Sequence, residues 1–297
     1  RDTEWDIDDT LVGRVGHSGS VEPFQSYTNS IATTLPGVTP GEYYVIIRAD
    51  IRNNVRETNE ENNSLVSEST IAADATELQL AVPFTSQLTA GEQYYFKVDV
   101  PAGEDLLITL DSEAESGFNE LYVRYGAMPS RGQYDYVYSD PFMPDQEVVV
   151  PSTEAGWYYV LVCGQVAPEQ FAEYTLSGQI QSFSLRNIEP QTVGNAGLAT
   201  LRVQGARFTG DTVFQLIGPT DTLIPQTDMF FEDSTTVYVT FDLTGRPVGE
   251  YDVQATSAED DVFVLSKAVV ISPGTGSKIE TRIHGPVFVR PGRDYVF

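Results

Sequence analysis

The sequence predicts an all-β chain of tandem β-sandwiches, and three observations carry that reading. Short runs alternate apolar and polar residues, as in Val98-Asp99-Val100, Leu106 to Leu110, Leu198 to Val203 and Val237 to Phe241. This period of two places one face of a strand inward and the other in solvent. Gly, Pro, Asn and Asp punctuate the runs, and helical periodicity is almost absent. The 297 residues are enough for two or three domains, and 41% of them are hydrophobic, which supports real cores.

An internal echo sets the number of modules. Gly41-Glu42-Tyr43-Tyr44-Val45 recurs as Gly156-Trp157-Tyr158-Tyr159-Val160 and again as Gly249-Glu250-Tyr251-Asp252-Val253. Each is a glycine turn entering a strand whose Tyr and Val, two apart, share a face. In the third copy Glu250, Asp252 and Gln254 occupy the opposite face, so Tyr251 and Val253 are the expected inward side. A tyrosine early in a late sandwich strand ties a corner by hydrogen-bonding the backbone. A second echo pairs Gly91-Glu92-Gln93-Tyr94-Tyr95-Phe96 with Gly292-Arg293-Asp294-Tyr295-Val296-Phe297. The modules expected from these echoes are 1–72, 76–180 and 183–272, with the start of a further one at 278–297. Joints fall at Ala72 to Ala75, at Gln181 to Leu185 and in the linker Ser272-Pro273-Gly274-Thr275-Gly276-Ser277.

Composition narrows the partners. The net charge of -26 repels nucleic acid, so none is expected. Lysine occurs only at Lys97, Lys267 and Lys278. The single cysteine, Cys163, forbids an internal disulfide; in the apolar run Tyr158 to Val162 it reads as a buried thiol rather than a nucleophile. No apolar run reaches the roughly 18 residues of a membrane-spanning helix, and no signal-peptide pattern opens the chain. The start at Arg1 and the stop at Phe297, inside an apparent strand, suggest a piece of a longer protein.

The first module carries Gly41-x-Tyr43-Tyr44-Val45-Ile46-Ile47-Arg48-Ala49-Asp50, then Asn53, Val55, Glu57, Asn59, Glu60, Asn62 and Asn63. With Trp5-Asp6-Ile7-Asp8-Asp9 and Gly13, this run resembles the CARDB family of cell-adhesion-related domains of bacterial surface proteins. The resemblance implies a partial Ig-like sandwich that lacks the family's first strands. Two physical readings of its acidic stretch stand side by side. The Asp and Asn side chains suit the capping of tight turns. Asp50, Asn53, Glu57, Glu60 and Glu61 alternatively supply the clustered oxygens of a calcium site, with Asp6, Asp8 and Asp9 a second acidic group; neither has the spacing of an EF-hand loop.

The second module reads Leu88-Thr89-Ala90-Gly91, Tyr94-x-Phe96-x-Val98-x-Val100-Pro101-Ala102-Gly103, Glu120-Leu121-Tyr122-Val123-Arg124-Tyr125-Gly126, and Gly156-Trp157-Tyr158-Tyr159-Val160-Leu161-Val162. It is similar to the bacterial pre-peptidase C-terminal (PPC) domain, a jelly-roll-like sandwich appended to secreted proteases; Glu120 stands where that family has Asp. The resemblance implies two roles, calcium binding near the domain entrance and binding of polymers through surface tyrosines. Tyr122, Tyr125, Tyr134, Tyr136 and Tyr138 are the candidates, because tyrosine offers a flat apolar face with a polar tip. The competing reading places Tyr122 in a core and uses the others to shield strand edges. Asp74, Glu77, Asp111, Glu113 and Glu115 are further acidic candidates that solvated loops explain equally well.

The third module, with Ile188-x-Pro190, Gly197-x-Ala199-Thr200-Leu201-x-Val203, Gly205-Ala206-x-Phe208 and Asp242-Leu243-Thr244-Gly245, is similar to IPT/TIG immunoglobulin-like domains, which implies a spacer or interaction unit. Asp242 reads as a turn cap and Glu259-Asp260-Asp261 as a hairpin tip. His17 and His284 are the only histidines, and no Gly-x-Ser-x-Gly, His-Glu-x-x-His or phosphate-cradling loop occurs. The 43 acidic residues single out no catalytic pair. The expected function is a non-catalytic extracellular or cell-surface adhesion and scaffold segment, calcium-stabilised at a joint, facing a protein or polysaccharide surface or assembling with itself. The alternatives are an accessory substrate-binding region of a secreted enzyme, such as a protease, and a carbohydrate-binding module.

Overall fold

The computed structural model describes residues 2–22, 25–114, 117–166, 172–219 and 222–274. The expected module at 278–297, much of the linker before it, Glu115 and His284 lie outside the described residues. Strands and no α-helix appear among those described, in keeping with the period of two. The chain divides into two compact units, Arg1–Gln181 and Ser182–Phe297, so the first two expected modules share one unit.

That unit begins with short ladders. Strand β1 (Gly41–Tyr43) pairs with β4 (Ile71–Ala73), and β2 (Ile46–Arg48) pairs with β3 (Ser64–Val66). The Asx-rich stretch between β2 and β3 turns back on itself instead of extending. Ile47 and Leu65, directly paired, are 63% and 70% exposed, so no second sheet covers them. An isolated two-stranded ladder has too little apolar contact to close a core of its own.

The sandwich follows. Its strands are β5 (Thr76–Glu77), β6 (Phe84–Leu88), β7 (Gln93–Val100), β8 (Leu106–Ser112), β9 (Phe118–Tyr125), β10 (Tyr136–Val137), β11 (Gln146–Val150), β12 (Gly156–Val166) and β13 (Ala172–Ile180). One sheet has the order β10-β9-β12-β7-β5 and the other β11-β8-β13-β6. Phe96, Val98, Val123 and Val160 from the first face Ile108, Leu110, Val148 and Leu176 from the second in one core. Burying each such side chain contributes about 1.5–3 kcal/mol. The first strands of the unit are joined to this sandwich at two places. Ala73 and Ala75 are buried on either side of Asp74, whose carboxylate accepts two hydrogen bonds from Lys97 Nζ at 2.7 and 2.9 Å. Lys97 also lies over the Trp157 ring at 5.0 Å. Ahead of β1, Gly37 sits against the Tyr95 ring on β7, so closely that a Cβ there would come within 2.3 Å of Tyr95 Cζ.

The second unit holds β14 (Ser184–Glu189), β15 (Thr192–Gly194), β16 (Leu198–Ala206), β17 (Val213–Ile217), β18 (Leu223–Asp233), β19 (Thr236–Asp242), β20 (Gly249–Thr256) and β21 (Val262–Ser272). They form a continuous order, β14-β16-β19-β18-β17-β20-β21-β15. Strand β18 makes the corner: Leu223 to Pro225 pair with β17, and Gln226 to Asp233 pair with β19. The Gln226 side chain accepts a hydrogen bond from the Phe214 amide at 2.6 Å where the two directions diverge. The ends of the order, β14 and β15, are consecutive in sequence, so the sheet nearly closes over Phe214, Leu216, Val239, Phe241 and Val253.

All three echoed tyrosines bond the backbone four residues upstream, two as donors and one as an acceptor. Tyr251 Oη donates to Pro247 O at 2.8 Å, Tyr158 Oη accepts from the Glu154 amide at 2.8 Å, and Tyr43 Oη donates to Thr39 O, each partner four residues upstream. The glycine two residues before Tyr158 has φ +132 and the one before Tyr251 has φ +147, a region that side chains disfavour. Tyr251→Phe is expected to lower the stability of the second unit by about 1 kcal/mol, the net worth of one hydrogen bond, as read by denaturant unfolding. Gly37→Val is expected to unseat the chain ahead of β1. Limited proteolysis then cuts near residues 36–40 while the melting of the β5–β13 sandwich stays unchanged.

Candidate functional site

The calcium-site candidates expected in the first module are divided between two turns. Asp50 and Asn53 take left-handed backbone conformations, at φ +37 and +51, and the Asn53 amide donates to Asp50 O at 2.7 Å. Asp50 Oδ1 accepts from the Asn54 amide and Oδ2 from the Val55 amide, both at 2.8 Å. In the neighbouring turn Glu60 Oε1 accepts from the Glu57 amide at 2.9 Å, and Asn59 Oδ1 accepts from the Glu61 amide at 3.0 Å. These side chains do what short acceptors do in tight turns: they satisfy amides that no strand reaches. A third turn is capped in the same way: Asp9 Oδ2 accepts from the Asp6 amide at 3.1 Å and Asp6 Oδ1 from the Asp8 amide at 2.8 Å. Among the described residues no three His, Cys, Asp or Glu side chains gather as metal ligands.

The candidate tyrosines separate in a similar manner. Tyr125 tilts against Tyr158 at 5.0 Å between ring centroids, and its hydroxyl donates to Ala155 O at 2.9 Å. Tyr134 lies 5.1 Å from Tyr122, and Tyr138 meets Tyr122 edge-on at 5.7 Å. Tyr136 and Tyr138 pack against the main core. Tyr134 and Tyr125 are the more exposed members.

Two of these rings, Tyr122 and Tyr138, help build a second, smaller core on the outer face of the five-stranded sheet. Tyr122, Leu161 and Cys163 are buried there, with Tyr95 and Tyr138 against them. Arg131 and Glu120 close one side through an ion pair of 2.6 Å, and Tyr122 Oη donates to Glu120 at 3.2 Å. Burial pushes the Cys163 thiol up to about 11, so it is protonated and unreactive near neutral pH. Asp74 is held below the ordinary carboxylate range, first by its bond from Lys97 and then by the Ala75 amide. The Lys97 contacts and the Glu120–Arg131 pair were not visible in the sequence, since their members lie on different strands or far apart in the chain. Asp105 was missed too: it is buried, and its carboxylate accepts from the Ser152 amide at 2.9 Å in the corner before β12.

This geometry belongs to a modular all-β protein whose polar side chains largely serve turns and corners. Residues 2–67 match the CARDB family. No curated protein matches the chain in sequence. Among solved structures, the pre-peptidase C-terminal domain of a Bacillus anthracis collagenase is 16% identical, over 35% of this chain and 94% of that one, with a TM-score of 0.30. PliG of Aeromonas hydrophila, a periplasmic inhibitor of g-type lysozyme, is 15% identical over 36% of this chain and 97% of its own, with a TM-score of 0.27. CorA of Methylomicrobium album BG8, a surface-associated copper-binding protein, is 11% identical over 36% and 98%, with a TM-score of 0.27. No helix among the described residues is long and apolar enough to cross a membrane.

Because its carboxylate already serves two amides, Asp50→Ala is expected to lower stability by about 1 kcal/mol. The melting temperature is expected to be the same in calcium and in chelator at matched ionic strength, by differential scanning calorimetry.

Proposed function

We propose that this chain is a non-catalytic segment of an extracellular or cell-surface bacterial protein, in which β-sandwich modules space and present surfaces for adhesion or scaffolding. The observation that carries this reading is the joint between the first two modules. Gly37 packs on Tyr95, and Asp74, in the stretch that follows the CARDB-matched residues, bonds Lys97, so that region is seated on the sandwich that follows it. A spacer needs that property, because modules held at a joint transmit position, whereas a flexible linker does not. The cell-adhesion character implied by the CARDB resemblance, the spacer role implied by the IPT/TIG resemblance of residues 183–272, and the use of acidic side chains as turn caps agree with it.

The test uses antibodies raised against the purified chain and intact cells of the organism that encodes it. Labelling without permeabilisation, together with release of the epitope by protease added outside, is the expected result. Labelling only after permeabilisation would overturn the extracellular placement. Loss of cell attachment on in-frame deletion of the segment, restored by the wild-type segment, is expected if it serves adhesion; unchanged attachment and surface architecture would sink the scaffold reading.

A further inference from the structure

The segment between β10 and β11 spends buried polar groups on holding an apolar tip in water. Phe142 is 78% exposed and Met143 is 53% exposed. Phe142 has φ +67, a left-handed conformation that costs a bulky residue free energy and persists only where its surroundings impose it. Two amide side chains impose it here. Gln146, 3% exposed, donates from Nε2 to Asp140 O and Met143 O, both at 2.8 Å. Asn119, also buried, donates from Nδ2 to Pro144 O at 2.7 Å and from its backbone amide to Met143 O at 3.1 Å. Phe118 steadies one side of the Phe142 ring edge-on, at 5.8 Å. Beside the tip, Asp111, Asp140, Asp145 and Glu147 line a shallow acidic groove.

The geometry points to a docking loop for another protein: Phe142 and Met143 enter an apolar pocket of a partner whose rim carries Lys or Arg opposite the acidic groove. A loop held in its bound shape loses little entropy on binding, and exposed aromatic and thioether side chains are anchors of protein interfaces. Charge selects the occupant. With 43 acidic and 17 basic residues, a second copy of this chain or an anionic surface meets like charge, whereas a basic rim is attracted and oriented. The inference rests on the proposed presenting role and names one surface that would be presented.

The probe is a phage-displayed random peptide library panned on the intact chain, followed by titration of the synthetic consensus peptide. The expected consensus combines a cluster of large apolar residues with Lys or Arg. Phe142→Gly removes the ring at a position where glycine takes the observed φ without strain, so the melting temperature is expected to hold or rise while peptide affinity falls at least about tenfold. Asp140→Asn with Asp145→Asn is expected to lower the salt dependence of the association rate with a smaller effect on dissociation. No consensus, or a consensus peptide that binds the Phe142→Gly chain as tightly as the wild type, overturns the docking loop. Either result leaves the cell-labelling test of the spacer reading untouched, and a chain that labels only inside cells removes that reading whatever the peptides do.

Discussion

A tyrosine ring drawn into an apolar core brings a hydroxyl that must find a polar partner, and much of this protein's architecture follows from how that need is met. At Tyr158 and Tyr251 the ring lies in the core and the oxygen reaches the backbone four residues upstream. That bond holds the incoming loop against the strand it leads into. The turn glycine two residues earlier takes a φ that other residues avoid, which lets the chain enter the strand at the required angle. Once the corner is set, the period of two does the rest, sending Tyr251, Val253 and Ala255 inward and Glu250 and Asp252 outward.

The same economy governs the acidic side chains. A chain of net charge -26 suggests cation binding, yet Asp50, Glu60 and Asp6 point their oxygens at nearby amides. A carboxylate near an unpaired N–H satisfies it locally without closing a long loop, and local partners are the cheapest to reach. The tyrosines of the second module follow a parallel logic. Their rings cluster on Tyr122 and Tyr158 because contact with another ring buries apolar surface that would otherwise face water.

The N-terminal residues show what alternation alone leaves open. Residues 41–48 have the apolar pattern of a sandwich strand, and the expected module was drawn around it. The structure gives short ladders there, with Ile47 and Leu65 open to solvent. An alternating strand states which face wants to be buried; it does not supply the opposing sheet that would bury it. The contacts that seat this region, Gly37 on Tyr95 and Asp74 on Lys97, join residues 58 and 23 positions apart in the chain, and neither has a local signature.

From the sequence by itself came the all-β class, the inward side of the third echoed strand, the tyrosine corners and the buried, unreactive Cys163. All of these depend on neighbours within a few residues, or on the simple polarity of a side chain. Only the tertiary structure decided which acidic residues share a turn, which tyrosines meet, that β18 passes from one pairing partner to the other, and that Gln146 and Asn119 hold the Phe142 tip. Those outcomes depend on strand order and register, which bring together residues far apart in the chain, and the period of two is blind to both.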